Sequence, residues 1–274
     1  MLLSKQGSWK LKILILGDIV GRPGRKFLND QLSGYKKDNQ IDLIIANGEN
    51  AAGGAGITAK TATEILGSGV NAITLGDHVW DQMNFNREID QLDRVCRPAN
   101  LPSSNPGRDR LVISVNNHRI GLFTVLGRTF MGPKVSCPFQ TAGRLVEEMK
   151  ADTDAIIVEI HAETTSEKEA MGWHLDGKVS LVFGTHTHVP TADTRILEKG
   201  TAYQTDVGMC GDYNSVIGMN KENSIKKFLK DKEAIKHFPA VGQGTLSGII
   251  VEANTETGLA KKVTRLIDGG SLAK

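Results

Sequence analysis

The sequence predicts one α/β domain organised around an open parallel β-sheet. Its five strongest strand signals are apolar runs at residues 13–16, 41–46, 72–75, 155–160 and 179–183. A continuously apolar run is typical of a strand that is covered on both faces, as in a parallel sheet. No internal repeat or low-complexity linker divides the chain. We therefore expect residues 11–274 to form a single domain, preceded by a short extension at residues 1–10.

The other elements are predicted from helix and turn signals between and after these runs. Helices are expected at residues 26–37, from about residue 58, and at residues 81–92, 141–150 and 224–236, the last being rich in lysine. Pairs of strand-like runs joined by short polar turns predict hairpins within residues 111–125, 194–205 and 245–267. Residues 206–220 are rich in glycine and are expected to form a loop.

Composition excludes several classes of protein. The 274 residues include 33 basic and 31 acidic side chains that are well mixed, for a formal charge of +2. Without a basic stripe, stable binding to nucleic acid or to a membrane surface is not expected. The first apolar run is too short for a signal sequence or a membrane span. Three widely spaced cysteines, with no Cys-x-x-Cys pair, argue against a disulfide framework and favour a cytoplasmic location.

The most informative stretch is GTHTHVPTAD at residues 184–193, which follows the fifth apolar run. In extended backbone, residues two apart share a face, so His186 and His188 are expected to point toward the same place. Neutral histidine is a common metal ligand, and two imidazoles at a strand end suit half of a metal site. A pair of solvated loop histidines is the alternative interpretation of this stretch alone.

All five apolar runs end in residues that can ligate a metal. These residues are Asp18, Glu49 with Asn50, Asp77, His161, and His186 with His188. Ligands of open α/β sheets bind in the crevice at the carboxyl ends of the strands, so the five strand ends can converge on one point. A helix cap or loop contact could explain each residue separately, but not their joint placement.

The candidate ligands combine carboxylate, amide and imidazole groups and include no thiolate. This chemistry suits manganese, iron or zinc and argues against a structural zinc site. Seven candidates are more than one tetrahedral ion needs, whereas two ions that share a bridging carboxylate would use them. A two-metal centre polarises a phosphoryl group and generates hydroxide. The residues therefore predict a dinuclear hydrolase of phosphate esters.

Seven motifs make the chain resemble the YmdB-like branch of the calcineurin-like metallophosphoesterases. They run in the family's order through residues 17–218 and read GDIVGRPGR, ANGENAAGGAGIT, ITLGDHVWD, RPANLP, HAETTSEKEA, GTHTHVPTAD and DVGMCGDYNSVIG. The resemblance implies a four-layer α/β sandwich in which two mixed β-sheets lie between helices. It also implies a phosphodiesterase that acts on cyclic nucleotides through a hydroxide activated by two metal ions.

The resemblance implies a role for each candidate residue. One ion would be held by Asp18, Glu49, Asn50 and His188, and the other by Glu49, Asp77, His161 and His186. Glu49 would bridge the ions, and His78 would donate a proton to the leaving oxygen. The cofactors would be two divalent or mixed-valence transition-metal ions, with iron or manganese favoured over zinc. The family motif usually carries asparagine where this chain has Asp77, which changes the charge of the site.

Two other functions remain open at the level of sequence. A His-x-His motif also occurs in amidohydrolases, although there it follows the first strand of a (β/α)8 barrel. A regulatory metal-binding protein with weak phosphatase activity, acting through a partner, would carry the same residues. Homo-oligomer formation is left open as well. Among the weaker signals, Arg22, Arg25 and Arg128 could clamp phosphate, with solvated surface arginines as the alternative interpretation. Cys210 has no recognisable activating base. Glu163 and Thr164, beside His161, could fix a ligand imidazole, with plain loop polarity as the alternative.

Overall fold

The computed structural model describes residues 10–272. Of the predicted extension at residues 1–10, only Lys10 lies within this range, where it begins the first strand. The strands are β1 (Lys10–Leu16), β2 (Asp18–Ile19), β3 (Leu43–Asn47), β4 (Ala72–Thr74), β5 (Val95–Cys96), β6 (Leu111–Val115), β7 (His118–Leu126), β8 (Ala155–His161), β9 (Leu181–Thr185), β10 (Arg195–Ile196), β11 (Ala202–Gln204), β12 (Met209–Cys210), β13 (Thr245–Asn254) and β14 (Leu259–Gly269). The α-helices are α1 (Gly21–Asp38), α2 (Ala59–Gly67), α3 (Phe85–Glu88), α4 (Pro138–Met149), α5 (Thr165–Leu175) and α6 (Lys221–Phe228), with a 3₁₀ turn at Ile89–Gln91.

The strands form two six-stranded mixed sheets within residues 10–272, plus a small parallel pair, β12 with β2. The first sheet has the order β14-β13-β1-β3-β4-β5 and the second β10-β11-β9-β8-β7-β6. The inner strands β1, β3 and β4 are parallel in the first sheet, and β7, β8 and β9 are parallel in the second. The expectation of one open sheet is therefore wrong, because the first three apolar runs belong to one sheet and the last two to the other.

The two sheets face each other across an apolar layer. In β1, the alternate side chains Ile13 and Ile15 lie in this layer, with Ile157 of β8 and Phe183 of β9. Side chains that are two residues apart share a face of a strand, which leaves the intervening residues for the opposite face. The continuous apolar run thus covers both faces of its strand, as the sequence predicts.

Helices cover the outer face of each sheet. Leu14 of β1 packs with Leu28 of α1 in an outer cluster that also includes residues of α2. On the other side, Val158 of β8 packs with Leu145 of α4 and Met171 of α5. The order of layers is helix, sheet, sheet, helix, which confirms the four-layer sandwich and is not a (β/α)8 barrel.

Most local predictions are confirmed, but two helices are shorter than predicted. The segment predicted as a helix at residues 81–92 contains only the four-residue α3 and the 3₁₀ turn. The three predicted hairpins pair as β6 with β7, β10 with β11, and β13 with β14. The helix predicted at residues 224–236 ends at Phe228. The side chain of Asn223 donates hydrogen bonds to the Ile235 and Lys236 carbonyls and accepts one from the Ile235 amide, so the chain folds back on the helix. In the described part of the chain, no helix has the length and apolarity that a membrane crossing requires.

Candidate metal centre

The seven predicted ligands lie together where the carboxyl ends of the two sheets meet. Three of the strand ends, those of β1, β3 and β4, are from the first sheet, and β8 and β9 are from the second. Five of the ligands are buried, while Asp77 and His186 are partly exposed. The chain therefore brings ligands from both sheets to a single point, rather than placing them along the crevice of one sheet.

One group of donors consists of Glu49, Asp77, His161 and His186. One ligand atom from each lies within 4.8 Å of the others. His161 Nε2 is 2.9 Å from Asp77 Oδ1 and 3.1 Å from Glu49 Oε1. His186 Nδ1 is 3.1 Å from His161 Nε2 and 3.3 Å from Asp77 Oδ1. Two imidazole nitrogens and two carboxylates that face one another in this way match the donor set of a transition-metal ion.

A second group adjoins the first through Glu49. Asn50 Nδ2 is 3.2 Å from Glu49 Oε1 and 3.1 Å from His188 Nε2. Asp18 Oδ2 accepts a hydrogen bond of 3.1 Å from the His186 amide, but the buried Asp18 Oδ1 has no hydrogen-bond partner among residues 10–272. A buried carboxylate oxygen without a partner is costly unless a cation binds it. The residues present therefore fit a second ion beside the first.

The two histidines of the GTHTH stretch do not converge as extended backbone would place them. Strand β9 ends at Thr185, and both His186 and His188 have positive φ angles, of 96° and 64°. Such backbone is uncommon outside glycine and costs about 1–3 kcal/mol per residue. The turn sends His186 toward Asp77 and His188 toward Asn50. Both histidines thus reach the same cleft, as expected, but from a turn and not from extended backbone, and each contributes to a different donor group.

A buried ion pair holds this turn in place. Asp206 Oδ2 accepts hydrogen bonds from the amide and the hydroxyl of Thr187, the residue between the two histidines. The same oxygen is 2.7 Å from Nζ of Lys168, and both side chains are buried. Lys168 comes from α5, so the helical layer supports the loop that carries His186 and His188. Sequence reasoning singled out neither residue.

Each ligand imidazole has an outer partner that orients it. His161 Nδ1 is 2.8 Å from Thr185 Oγ1, and the Thr185 hydroxyl donates in turn to Glu159 Oε1 at 2.5 Å. His188 Nδ1 donates to the carbonyl of Ile217 at 2.8 Å. These contacts leave Nε2 of His161 and of His188 facing the centre, where each nitrogen, once deprotonated, can offer its lone pair to a cation. Outer partners of this kind fix the tautomer and the orientation of metal-binding histidines.

The outer partner of His186 is Glu163, whose Oε2 is 3.1 Å from His186 Nε2. Glu163 was expected to fix a ligand imidazole, and the one it contacts is that of His186 and not that of the neighbouring His161. Thr164, the other residue expected there, has a buried hydroxyl with no hydrogen-bond partner in the described chain. The sequence singled out Glu163 by its position beside His161, but the imidazole that it contacts is set by how the end of β9 lies against the loop between β8 and α5.

The charges of the centre favour cation binding. Burial raises the pKa of Asp18 to about 8. Burial favours the neutral form of His161, but the charge of Glu49 and contacts with Asp77 and Glu159 outweigh it and raise the pKa of His161 well above its ordinary value. Without a metal, the centre thus retains protons that a bound cation would replace.

His78 lies beside the two donor groups, on the wall of the adjoining cleft. Its backbone amide donates to Glu49 Oε2 at 3.0 Å, and its Nδ1 is 2.7 Å from Asp81 Oδ2. Burial lowers the pKa of His78, but the charges of Glu49, Asp77 and Asp81 outweigh that effect and raise it. Asp81 was not singled out from the sequence, although its position three residues after His78 on a turn was a usable signal. With Nδ1 engaged by Asp81, Nε2 is the nitrogen that can serve a substrate.

The cleft has a volume of about 330 Å³. Its lining consists of Glu49, Asn50, Gly54, His78, Glu163, His186, Thr187, His188, Ile217 and Met219. Two further residues considered from the sequence, Arg25 and Cys210, do not line this cleft. Arg25 is paired with Glu64 at 2.9 Å and donates to the Ala51 carbonyl. Burial raises the pKa of the Cys210 thiol to about 12, so it is not an activated nucleophile.

Comparisons with known proteins agree with this geometry. Residues 14–266 match the sequence model of the YmdB-like protein family. A 2',3'-cyclic-nucleotide 2'-phosphodiesterase of Bacillus subtilis (strain 168) is 42% identical over 257 residues, which cover 94% of this chain and 97% of that protein. A hypothetical protein from Thermus thermophilus has a crystal structure that matches with a TM-score of 0.86 and 36% identity, over 95% of this chain and 100% of that one. A novel phosphatase from Mycoplasma pneumoniae matches with a TM-score of 0.86 and 37% identity, over 95% of each chain. The chain is a member of the YmdB-like protein family.

Proposed function

We propose that this protein is a metal-dependent phosphodiesterase and that its substrates are 2',3'-cyclic nucleotides. The observation that carries the proposal is the pair of donor groups that share Glu49, with His78 beside them in an open cleft. The Bacillus relative, whose name states this activity, supports the choice of substrate. Asp18, Glu49, Asn50 and His188 would hold one ion, and Glu49, Asp77, His161 and His186 the other.

The residues around the centre would have distinct roles in hydrolysis. Two bound ions would supply Lewis acidity toward the phosphoryl oxygens and lower the pKa of water at the site. His78 would give a proton to the ester oxygen that leaves, since Asp81 holds its Nδ1 and nearby carboxylates favour its charged form. Glu163 would fix the orientation of the His186 imidazole, and Thr185 that of the His161 imidazole.

The identity of the metal ions is inferred from the chemistry of the donor groups. Mixed carboxylate, amide and imidazole ligands without thiolate support iron or manganese, with zinc as the alternative. We keep the predictions of a cytoplasmic location and of no stable binding to nucleic acid or membrane. The free cysteines Cys96, Cys137 and Cys210 agree with a reducing compartment.

The test uses His78→Asn and a series of phosphodiesters with different leaving groups. Proton donation is typically worth roughly 10²- to 10⁴-fold and matters least when the leaving group is already acidic. Hydrolysis of 2',3'-cyclic nucleotides and alkyl esters should therefore slow much more than that of nitrophenyl esters, with the metal content unchanged. Equal slowing of both classes, or loss of metal, would show that His78 is not the acid.

A second arm of the experiment tests the reaction itself. Wild-type protein reconstituted with manganese or iron should open 2',3'-cyclic nucleotides faster than 3',5'-cyclic nucleotides. Full metal occupancy without turnover of any phosphodiester would instead favour a regulatory protein that acts through a partner.

A further inference from the structure

Glu159 is a fully buried carboxylate at the edge of the apolar layer between the two sheets. It lies on the same face of β8 as Ile157, which belongs to that layer, and as His161 at the end of the strand. Among residues 10–272, the only basic group within ion-pair distance of Glu159 is His161, whose Nδ1 is 3.8 Å from Glu159 Oε1. A carboxylate in this place is costly compared with an apolar side chain of similar size.

Three side chains donate hydrogen bonds to Glu159, and they come from both sheets. Asn47 Nδ2, at the end of β3 in the first sheet, is 2.7 Å from Glu159 Oε1. Thr185 Oγ1, at the end of β9 in the second sheet, is 2.5 Å from the same oxygen. Thr124 Oγ1 of β7 is 3.1 Å from Glu159 Oε2. All three donors are fully buried, so water does not compete with Glu159 for their hydrogens.

The bond from Thr185 determines which nitrogen of His161 can face a metal ion. A hydroxyl has a single hydrogen, and a carboxylate oxygen can only accept. Because the Thr185 hydrogen points to Glu159, the hydroxyl oxygen can only accept in its 2.8 Å contact with His161 Nδ1. The imidazole therefore keeps a hydrogen on Nδ1. Its Nε2, which faces Glu49 and Asp77, is the nitrogen that a cation can use.

The bond from Asn47 acts in the same way on Glu49, the ligand that both donor groups share. The Asn47 amide group has a donor end and an acceptor end, and its donor end, Nδ2, points to Glu159. Its Oδ1 is therefore directed to accept the hydrogen bond of 2.9 Å from the backbone amide of Glu49. One oxygen of Glu159 thus begins two hydrogen-bond chains, one to a ligand of each sheet.

We propose that Glu159 is a positioning residue that sets the direction of both chains and so aims His161 and Glu49 at the metal ions. This role rests on the metal-dependent function proposed above. A residue that only joined the two sheets could exchange donor and acceptor with its partner without any effect on metal binding. A positioning residue could not, because the hydrogen bond between Thr185 and His161 would then reverse.

The test variant exchanges donor and acceptor by combining Asn47→Asp with Glu159→Gln. The pair keeps its charge, and the new carboxylate at position 47 can still accept from the Glu49 amide. The new amide nitrogen at position 159 would donate to position 47 and to Thr185 Oγ1, so the Thr185 hydroxyl would turn its hydrogen toward His161 Nδ1. This arrangement opposes the use of Nε2 by a metal ion, and metal affinity should fall by about 10- to 100-fold.

The matched control is Glu159→Gln alone. Its amide oxygen can accept from both Asn47 and Thr185 while its nitrogen faces the hydroxyl of Thr124, which can turn to accept. The control keeps the direction of both chains and should lose much less affinity than the double variant.

Two quantities are measured on the full-length chain. The dissociation constant for Mn²⁺ comes from competition between the manganese-loaded protein and a chelating dye. Tm is measured in excess EDTA, because a bound ion would itself raise it. The double variant should match the Tm of the control but bind Mn²⁺ more weakly. Equal Mn²⁺ affinity of the double variant and the control would overturn the proposal.

A second pair of variants keeps the proposal testable if the double variant does not fold. Thr185→Val and Thr124→Val each remove one buried hydroxyl that donates to Glu159, from the strands on either side of β8. Only Thr185→Val also removes the acceptor of His161 Nδ1, so it should weaken Mn²⁺ binding by about 10-fold or more. Thr124→Val should leave the affinity unchanged. If both variants weakened binding equally, Glu159 would have a structural role only.

Turnover by the wild type tests the proposed function separately from the role of Glu159. A wild type that binds Mn²⁺ but hydrolyses no phosphodiester would count against the proposed function, and the variants would still decide the role of Glu159. A wild type that binds no Mn²⁺ would overturn both proposals.

Discussion

The buried ion pair beneath the turn that carries His186 and His188 leads to a prediction that links stability with metal retention. Lys168 and Asp206 are 0% and 1% exposed, and their charged atoms are 2.7 Å apart. Replacing Lys168 with methionine keeps an unbranched side chain, one atom shorter, and removes its charge. Asp206 would then be a buried carboxylate without a cationic partner, directly below Thr187.

The expected loss of stability is large because only one partner of a buried pair is removed. Such a change lowers the free energy of unfolding by about 3–5 kcal/mol. Asp206 keeps three hydrogen-bond donors, the amide and hydroxyl of Thr187 and the amide of Gly208, so we expect a value near the lower end, about 3 kcal/mol. At about 2–4 °C per kcal/mol for a chain of this size class, Tm should fall by roughly 6–12 °C.

The assay compares the thermal unfolding of Lys168→Met with that of Lys26→Met. Lys26 forms the same kind of pair with Asp30, but at the surface, where an i,i+4 pair contributes at most about 0.5 kcal/mol. Well below Tm, Lys168→Met should also lose metal to a chelator faster than the control. Adding Asp206→Asn should recover part of the stability, because no unpaired charge then remains. Equal Tm values for Lys168→Met and Lys26→Met would refute the reasoning.

Three further predictions concern the metal centre itself. Asp77→Asn should weaken metal retention and move the rising limb of the pH–rate profile to lower pH, because it removes one of three carboxylates opposite two cations; unchanged chelator resistance with an unmoved profile would count against it. Elemental analysis of protein purified without chelator should give close to two transition-metal ions per chain, and a value that stays at or below one after reconstitution would exclude a dinuclear centre. Metal affinity should fall, with more protons released per ion bound, as pH drops through about 8, because Asp18 must lose its proton to bind a cation. A loading curve that is flat between about pH 9 and 6 would contradict this.

Local patterns in the sequence were enough to predict most of the strands and the donor groups that follow them. Continuous apolar runs mark strands that are covered on both faces, and the polar residues that follow them mark the carboxyl ends of those strands. Asp18, Glu49, Asp77 and His161 could therefore be placed at strand ends from local patterns alone. The three hairpins were equally local, because a short turn brings consecutive strands together.

Which strands pair, and which donor group each histidine joins, depended on packing between segments that are distant in the chain. An apolar run shows that both faces are covered but not by which partner, so the division into two sheets was not readable from the five runs. The turn of His186 and His188 to different donor groups depends on Lys168 and Asp206, which are 38 residues apart in the chain. The early end of α6 depends in the same way on contacts of Asn223 with residues 235 and 236. Periodicity reports what each segment can bury, whereas the partner it meets is set by packing between segments that are distant in sequence.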